Sequence, residues 1–163
     1  MARADREPTI VASILDRLLD DEPEVTREAT PYRSQSVRGL RKSIARDLEA
    51  LLNTRREALE DLAAEFTEVS RSLVAYGLPD LTSLSLQGPD DRARIRRALE
   101  ETIATFEPRL DRVRVTLEAP REHDRALRFR VDAWLKMEPA PEPVTFDAAV
   151  QLPTQEYTIQ SER

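Results

Sequence analysis

Glu107 and Arg109 stand on either side of Pro108 in the stretch FEPRLDRVRV, an acid and a base held two residues apart by a proline. Glycoside hydrolysis needs only two carboxylates. One is held protonated as general acid, and the other serves as nucleophile or base ~5–9.5 Å away. Glu107 is the candidate acid, with Asp111, Asp132 and Asp147 as candidate partners. Two features tell against this chemistry. A paired arginine favours the ionised carboxylate, whereas a general acid has to keep its proton. Aromatic residues make up 5% of the chain and Trp134 is the single tryptophan, so a sugar-stacking cleft is poorly supplied.

The same stretch also reads as a joint. A negative charge at a helix C-terminus is unfavourable, and Arg109 or a partner chain can offset it. Pro108 fixes the backbone between the two charges. The result is either a rigid pair suited to charge-paired docking or an ordinary surface ion pair worth ~0–1 kcal/mol.

Other chemistries have little to work with. The sequence has no cysteine, one histidine (His123, in REHDR) and three glycines. Thiolate chemistry, a histidine metal site or triad, and a glycine-rich phosphate loop are therefore not expected. A net charge of -6 argues against general nucleic-acid binding. Lys42 and Lys136 are the only lysines, so the basic surface is built from arginine, whose planar fork suits carboxylate pairing. The start, MARADREPT, has no apolar signal region, and no apolar run approaches ~18 residues. A cytoplasmic protein is the simplest expectation.

The elements that must position these residues follow from periodicity. TIVASILDRLLDDEP carries a broad apolar face (Ile10, Val11, Ile14, Leu15, Leu18, Leu19) and predicts a short amphipathic helix ended by Pro23. EVTREATPYRSQS reads as a linker. From Ser36, the residues Val37, Leu40, Ile44, Leu48, Leu51 and Leu52 hold helical spacing. The stretch from Glu57 to Gly77 is mostly helix-permitting, with a weaker stripe at Leu59, Leu62, Ala63 and Phe66. YGLPDL is a turn with apolar anchors. In GPDDRARIRRALEETIATFE, Ile95, Leu99, Ile103 and Phe106 form one stripe, and Pro108 ends that helix near Glu107.

The period then changes to two. Val113, Val115 and Leu117 alternate with Arg112, Arg114 and Thr116. Leu127, Phe129, Val131, Ala133, Leu135 and Met137 take one face of the next strand, and Trp134 falls on the polar face. VTFDAAVQL alternates likewise, PAPEP is too rich in proline to be strand, and TQEYTI adds a last, edge strand. Helices first and strands second predict an α+β fold, with N-terminal helices packed on one face of a C-terminal antiparallel sheet of three to four strands. Residues 1–35 form a helical arm and linker, and 36–163 a single domain. Trp134 is either an interface anchor or cover beneath another element. The last strand is either an edge for strand addition or one kept apart by its charges.

Taken together, SILDRLLDDEP, RDLEALLNTRR, YGLPDL, IRRALEETIATFEPRLDRVRVTL and PEPVTFDAAVQLPTQEYTI resemble the TssE family, the small baseplate subunits of the type VI secretion system. That family is similar to the phage-tail baseplate wedge protein labelled lysozyme-like. Ala75 stands where asparagine is more usual. The resemblance implies a non-enzymatic assembly adaptor that joins the wedge proteins TssF, TssG and TssK to the TssB–TssC sheath and helps start sheath assembly. It would sit in a cytoplasmic baseplate docked at the inner membrane, with no cofactor. It also implies that Glu107, Pro108 and Arg109 dock onto the TssF–TssG core. The last strands would form a platform for the sheath, with Tyr157 and Ile159 as the partner-binding residues.

Overall fold

The computed structural model describes residues 37–56, 66, 68–85, 87–119, 126–151 and 156–161. The expected helix over residues 9–23, its linker, His123 and the stripe residues Leu59, Leu62 and Ala63 lie outside them. Helix α1 spans Val37–Asn53 and buries Leu40, Ile44, Leu48, Leu51 and Leu52, the stripe its spacing announces. Helix α2 spans Pro89–Phe106, with Gly88 as N-cap and Asp90 and Asp91 in its first turn, where the helix dipole favours acids. It buries Ile95, Leu99 and Ile103.

Between the helices, the helix-permitting reading gives way over residues 69–75 to two short 3-10 turns, Val69–Arg71 and Leu73–Ala75. The hydroxyl of Ser72 donates to the Val69 carbonyl (2.8 Å), a local bond that competes with the α-helical ladder. The YGLPDL turn is laced to the chain just after α1. The amide of Leu78 donates to the Thr54 carbonyl (2.8 Å), and that of Arg56 to the Leu78 carbonyl (2.9 Å). Gly77 has φ +108°, and a Cβ there would lie 2.3 Å from the Thr54 carbonyl oxygen, so this close crossing requires glycine.

Four antiparallel strands follow in the spatial order β1-β2-β3-β4: Leu110–Leu117, Ala126–Leu135, Glu142–Gln151 and Glu156–Ser161. β3 starts earlier than the proline-rich reading allowed. Pro143 is its second residue, opposite Trp134, and at a strand start the missing amide hydrogen is tolerated. The predicted alternation decides which face is buried. Leu127, Phe129, Val131, Ala133 and Leu135 of β2 join Val144, Phe146, Ala148 and Val150 of β3 and the apolar faces of α1 and α2 in one core. α1 packs chiefly on β4 and α2 on β1, so the helices cover one face of the sheet from its two sides. The fold is α+β, as the order of periods predicts.

Candidate functional site

Glu107 is the C-cap of α2. Its amide donates to the Ile103 carbonyl (2.9 Å), and the backbone then leaves the helix at φ −114°. Pro108 and Arg109 form the turn into β1, closed by the Leu110 amide donating to the Glu107 carbonyl (3.1 Å). The far side of the turn is held by Lys136, whose amide donates to the Arg109 carbonyl (2.8 Å) and whose ammonium donates to the Pro108 carbonyl (2.9 Å).

The side chains make this turn a three-element joint. Glu107 is 4% exposed despite its charge. Arg109 Nε donates to Glu107 Oε1 (2.7 Å), and Arg109 Nη2 pairs with Glu107 Oε2. Arg109 Nη2 also reaches Asp47 Oδ2 (2.6 Å), and Nη1 reaches the Ser43 hydroxyl (3.3 Å). Both of those residues lie on α1. Burial works to lower the Arg109 pKa, but the hydrogen bonds and charges of Glu107 and then Asp47 outweigh it and hold the guanidinium above its ordinary value. Tyr76 of the YGLPDL turn closes the cluster, with its ring 5.3 Å from that of Phe106 in an edge-to-face arrangement. Burial first, then the negative charges of Asp47 and Glu107, raise its phenol pKa.

Sequence reading found the Glu107–Arg109 pair but not its other half. Asp47 and Ser43 lie 62 and 66 residues away. The only available signal was a small polar residue, Ser43, one step from the apolar stripe of α1. The joint binds α1, α2 and the sheet together. It is an internal fastening with an exposed rim made by Pro108 and Lys136.

Of the partners proposed for Glu107, Asp111 is exposed beside Arg112; Asp47 is the carboxylate brought to Glu107, with the Arg109 guanidinium shared between them. Glu107 commits both oxygens to Arg109. Asp132 and Asp147 lie on the sheet face away from the helices, where Asp132 accepts from the Thr145 hydroxyl (2.9 Å) and Asp147 pairs with Arg130 (3.1 Å). A cavity of about 180 Å³ between the YGLPDL turn, α1 and the sheet is lined, among the described residues, by one carboxylate, Asp80. Among the described residues, no group of three or more metal-ligating side chains could hold an ion.

The remaining candidates fall on the sheet. Trp134 is 39% exposed on the sheet face away from α1 and α2, with the Arg112 guanidinium 5.9 Å from its ring centre. It is therefore not cover beneath a described element. Tyr157 and Ile159 face the helices. Ile159 is 7% exposed in the core, and the Tyr157 ring meets that of Phe129 edge-on at 6.2 Å. Burial raises the Tyr157 pKa, with Arg55 opposing. β4 lies at the edge of the sheet, as expected.

The family described as baseplate wedge protein gp25 matches residues 38–140. That span takes in all but the first residue of α1, the YGLPDL turn, α2, the Glu107–Arg109 joint, β1 and β2, and it stops before β3. A solved structure titled "The baseplate complex from the type VI secretion system" is similar at 24% identity over 69% of this chain and 94% of that chain, with a TM-score of 0.45. No curated protein matches.

Proposed function

The chain belongs to the baseplate wedge protein gp25 family, and from that premise we propose that it is a non-enzymatic structural subunit of a type VI secretion baseplate. The observation that carries this reading is the family match across residues 38–140, which encloses both motifs and every element that meets at the joint. The subunit would link a TssF–TssG wedge core, with TssK, to the TssB–TssC sheath and help start sheath assembly on the cytoplasmic side of the inner membrane. No described helix is long and apolar enough to cross a membrane. In this reading residues 36–163 act as one docking body, and residues 1–35 as an arm.

Two surfaces divide the work. The corner built on Glu107, Pro108 and Arg109 docks on the wedge core. Its internal pairing supplies rigidity, so the ordering cost of the contact falls before binding. The end of the sheet carrying Tyr157 and Ile159 faces the sheath.

The full chain co-expressed with TssF and TssG should elute with them as one complex. A chain eluting alone beside an intact TssF–TssG assembly overturns the reading. Lys136→Glu reverses an exposed charge beside the joint without touching Glu107. Roughly tenfold weaker capture is expected, on the scale of a desolvated charge contact, and unchanged capture removes the corner as the docking surface.

A further inference from the structure

Both outer edges of the sheet are occupied by side chains from the helix beside them. On β4, Asn53 at the last position of α1 meets Tyr157 in the manner of a neighbouring strand. Its carbonyl oxygen accepts from the Tyr157 amide (2.8 Å), and its amide nitrogen donates to the Tyr157 carbonyl (2.9 Å). One turn earlier, Glu49 Oε2 accepts from the Ile159 amide (3.1 Å). On β1, Glu100 of α2 accepts from the Val115 amide (2.9 Å), and Arg92 donates to the Leu117 carbonyl (3.2 Å). Tyr157 and Ile159, like Val115 and Leu117, are alternate residues, the set whose peptide groups point out of a sheet at its edge.

We propose that these side chains are edge caps, and that Asn53 with Glu49 keeps β4 from pairing with the β4 of a second copy of this chain. An open edge is a template for strand addition, and blocking it costs only a few polar side chains. The second copy is the fitting occupant because β4 is self-complementary. In an antiparallel pair centred on Thr158, Tyr157 would face Ile159 of the other copy, Glu156 would face Gln160, and Thr158 would face Thr158. No like charges oppose one another, and threonine pairs are favourable across strands. The single charge in the EYTIQ stretch, Glu156, would face an uncharged residue in that pairing. The device does not depend on what the subunit docks to in a baseplate.

The experiment compares the full wild-type chain with Asn53→Ala/Glu49→Ala by sedimentation over a concentration series and by amide hydrogen exchange. Wild type should stay monomeric, with the Tyr157 and Ile159 amides protected. The double variant should associate with rising concentration, and in dilute solution those two amides should exchange roughly tenfold faster or more, as expected when a hydrogen bond is lost. Glu49→Gln keeps an acceptor and should stay monomeric. A folded double variant that remains monomeric with unchanged exchange overturns the proposal. Should the double variant fail to fold, the wild-type amides decide: exchange of Tyr157 and Ile159 as fast as that of open-edge amides overturns it as well.

Discussion

Replacing Arg109 by alanine removes the cation from a carboxylate that has almost no access to water. The Glu107 side chain is 5% exposed, and those of Arg109 and Asp47 are each 24% exposed. Breaking a buried pair by deleting one partner costs ~3–5 kcal/mol, because the other charge is left uncompensated. Water can reach Asp47 and part of the vacated space, which places the expected loss near the lower end, about 3 kcal/mol. That is a large share of a domain stability of ~5–15 kcal/mol. The assay is urea unfolding followed by far-ultraviolet circular dichroism. The midpoint should fall while the slope stays constant, so that the change reads as stability alone. Glu107→Gln in the Arg109→Ala background should recover part of the loss, giving a coupling of ~2 kcal/mol in the double-mutant cycle. Arg109→Glu would press a third carboxylate against Glu107 and Asp47 and should fail to fold, so a charge reversal there cannot separate docking from folding. A cost below about 1 kcal/mol for Arg109→Ala would mean that Arg109 compensates no buried charge, since that is the range of an exposed pair such as Arg130–Asp147.

Gly77→Ala should destabilise the chain by about 2–4 kcal/mol, because it adds backbone strain at φ +108° to a collision with the Thr54 carbonyl; urea midpoints check this. Phe146→Ala, at a fully buried position in the core, should cost about 3–5 kcal/mol on the same assay. Tyr76 and Tyr157 both have phenol pKa values raised from 10.0, by burial first. For a raised folded pKa, the folded state holds its proton longer than the unfolded state. Stability is therefore intact below about pH 10 and falls as pH rises through the folded values. Tyr76→Phe/Tyr157→Phe should show a shallower loss of melting temperature above pH 10 than wild type, and an identical slope would count against the raised values.

Local pattern alone gave α1 and α2, and the buried face of β2. Helical spacing from Leu40 to Leu52 and strict alternation from Leu127 to Leu135 are local signals, because side chains three to four apart on a helix, or two apart on a strand, share a face before any tertiary contact forms. Pro108 stopped α2 and Gly77 marked a tight crossing by the same local logic. The family was legible because several motifs occur together in order, which is a matter of shared pattern and not of physics.

Beyond the Glu107–Arg109 pair, the partners of the polar residues came only with the tertiary fold. Asp47 and Ser43 reach Arg109 from α1, and Asn53 and Glu49 reach β4 across 104 and 110 residues. A polar residue off an apolar stripe carries no period to disclose its partner. β1 makes the same point for register. Leu110 and Val115 are five apart yet both buried, because an extra residue between Asp111 and Arg114, with Arg112 at φ 51°, turns the strand over. Alternation alone sends those two to opposite faces; the packing of Leu110 and Val115 against a common core holds the bulge in place.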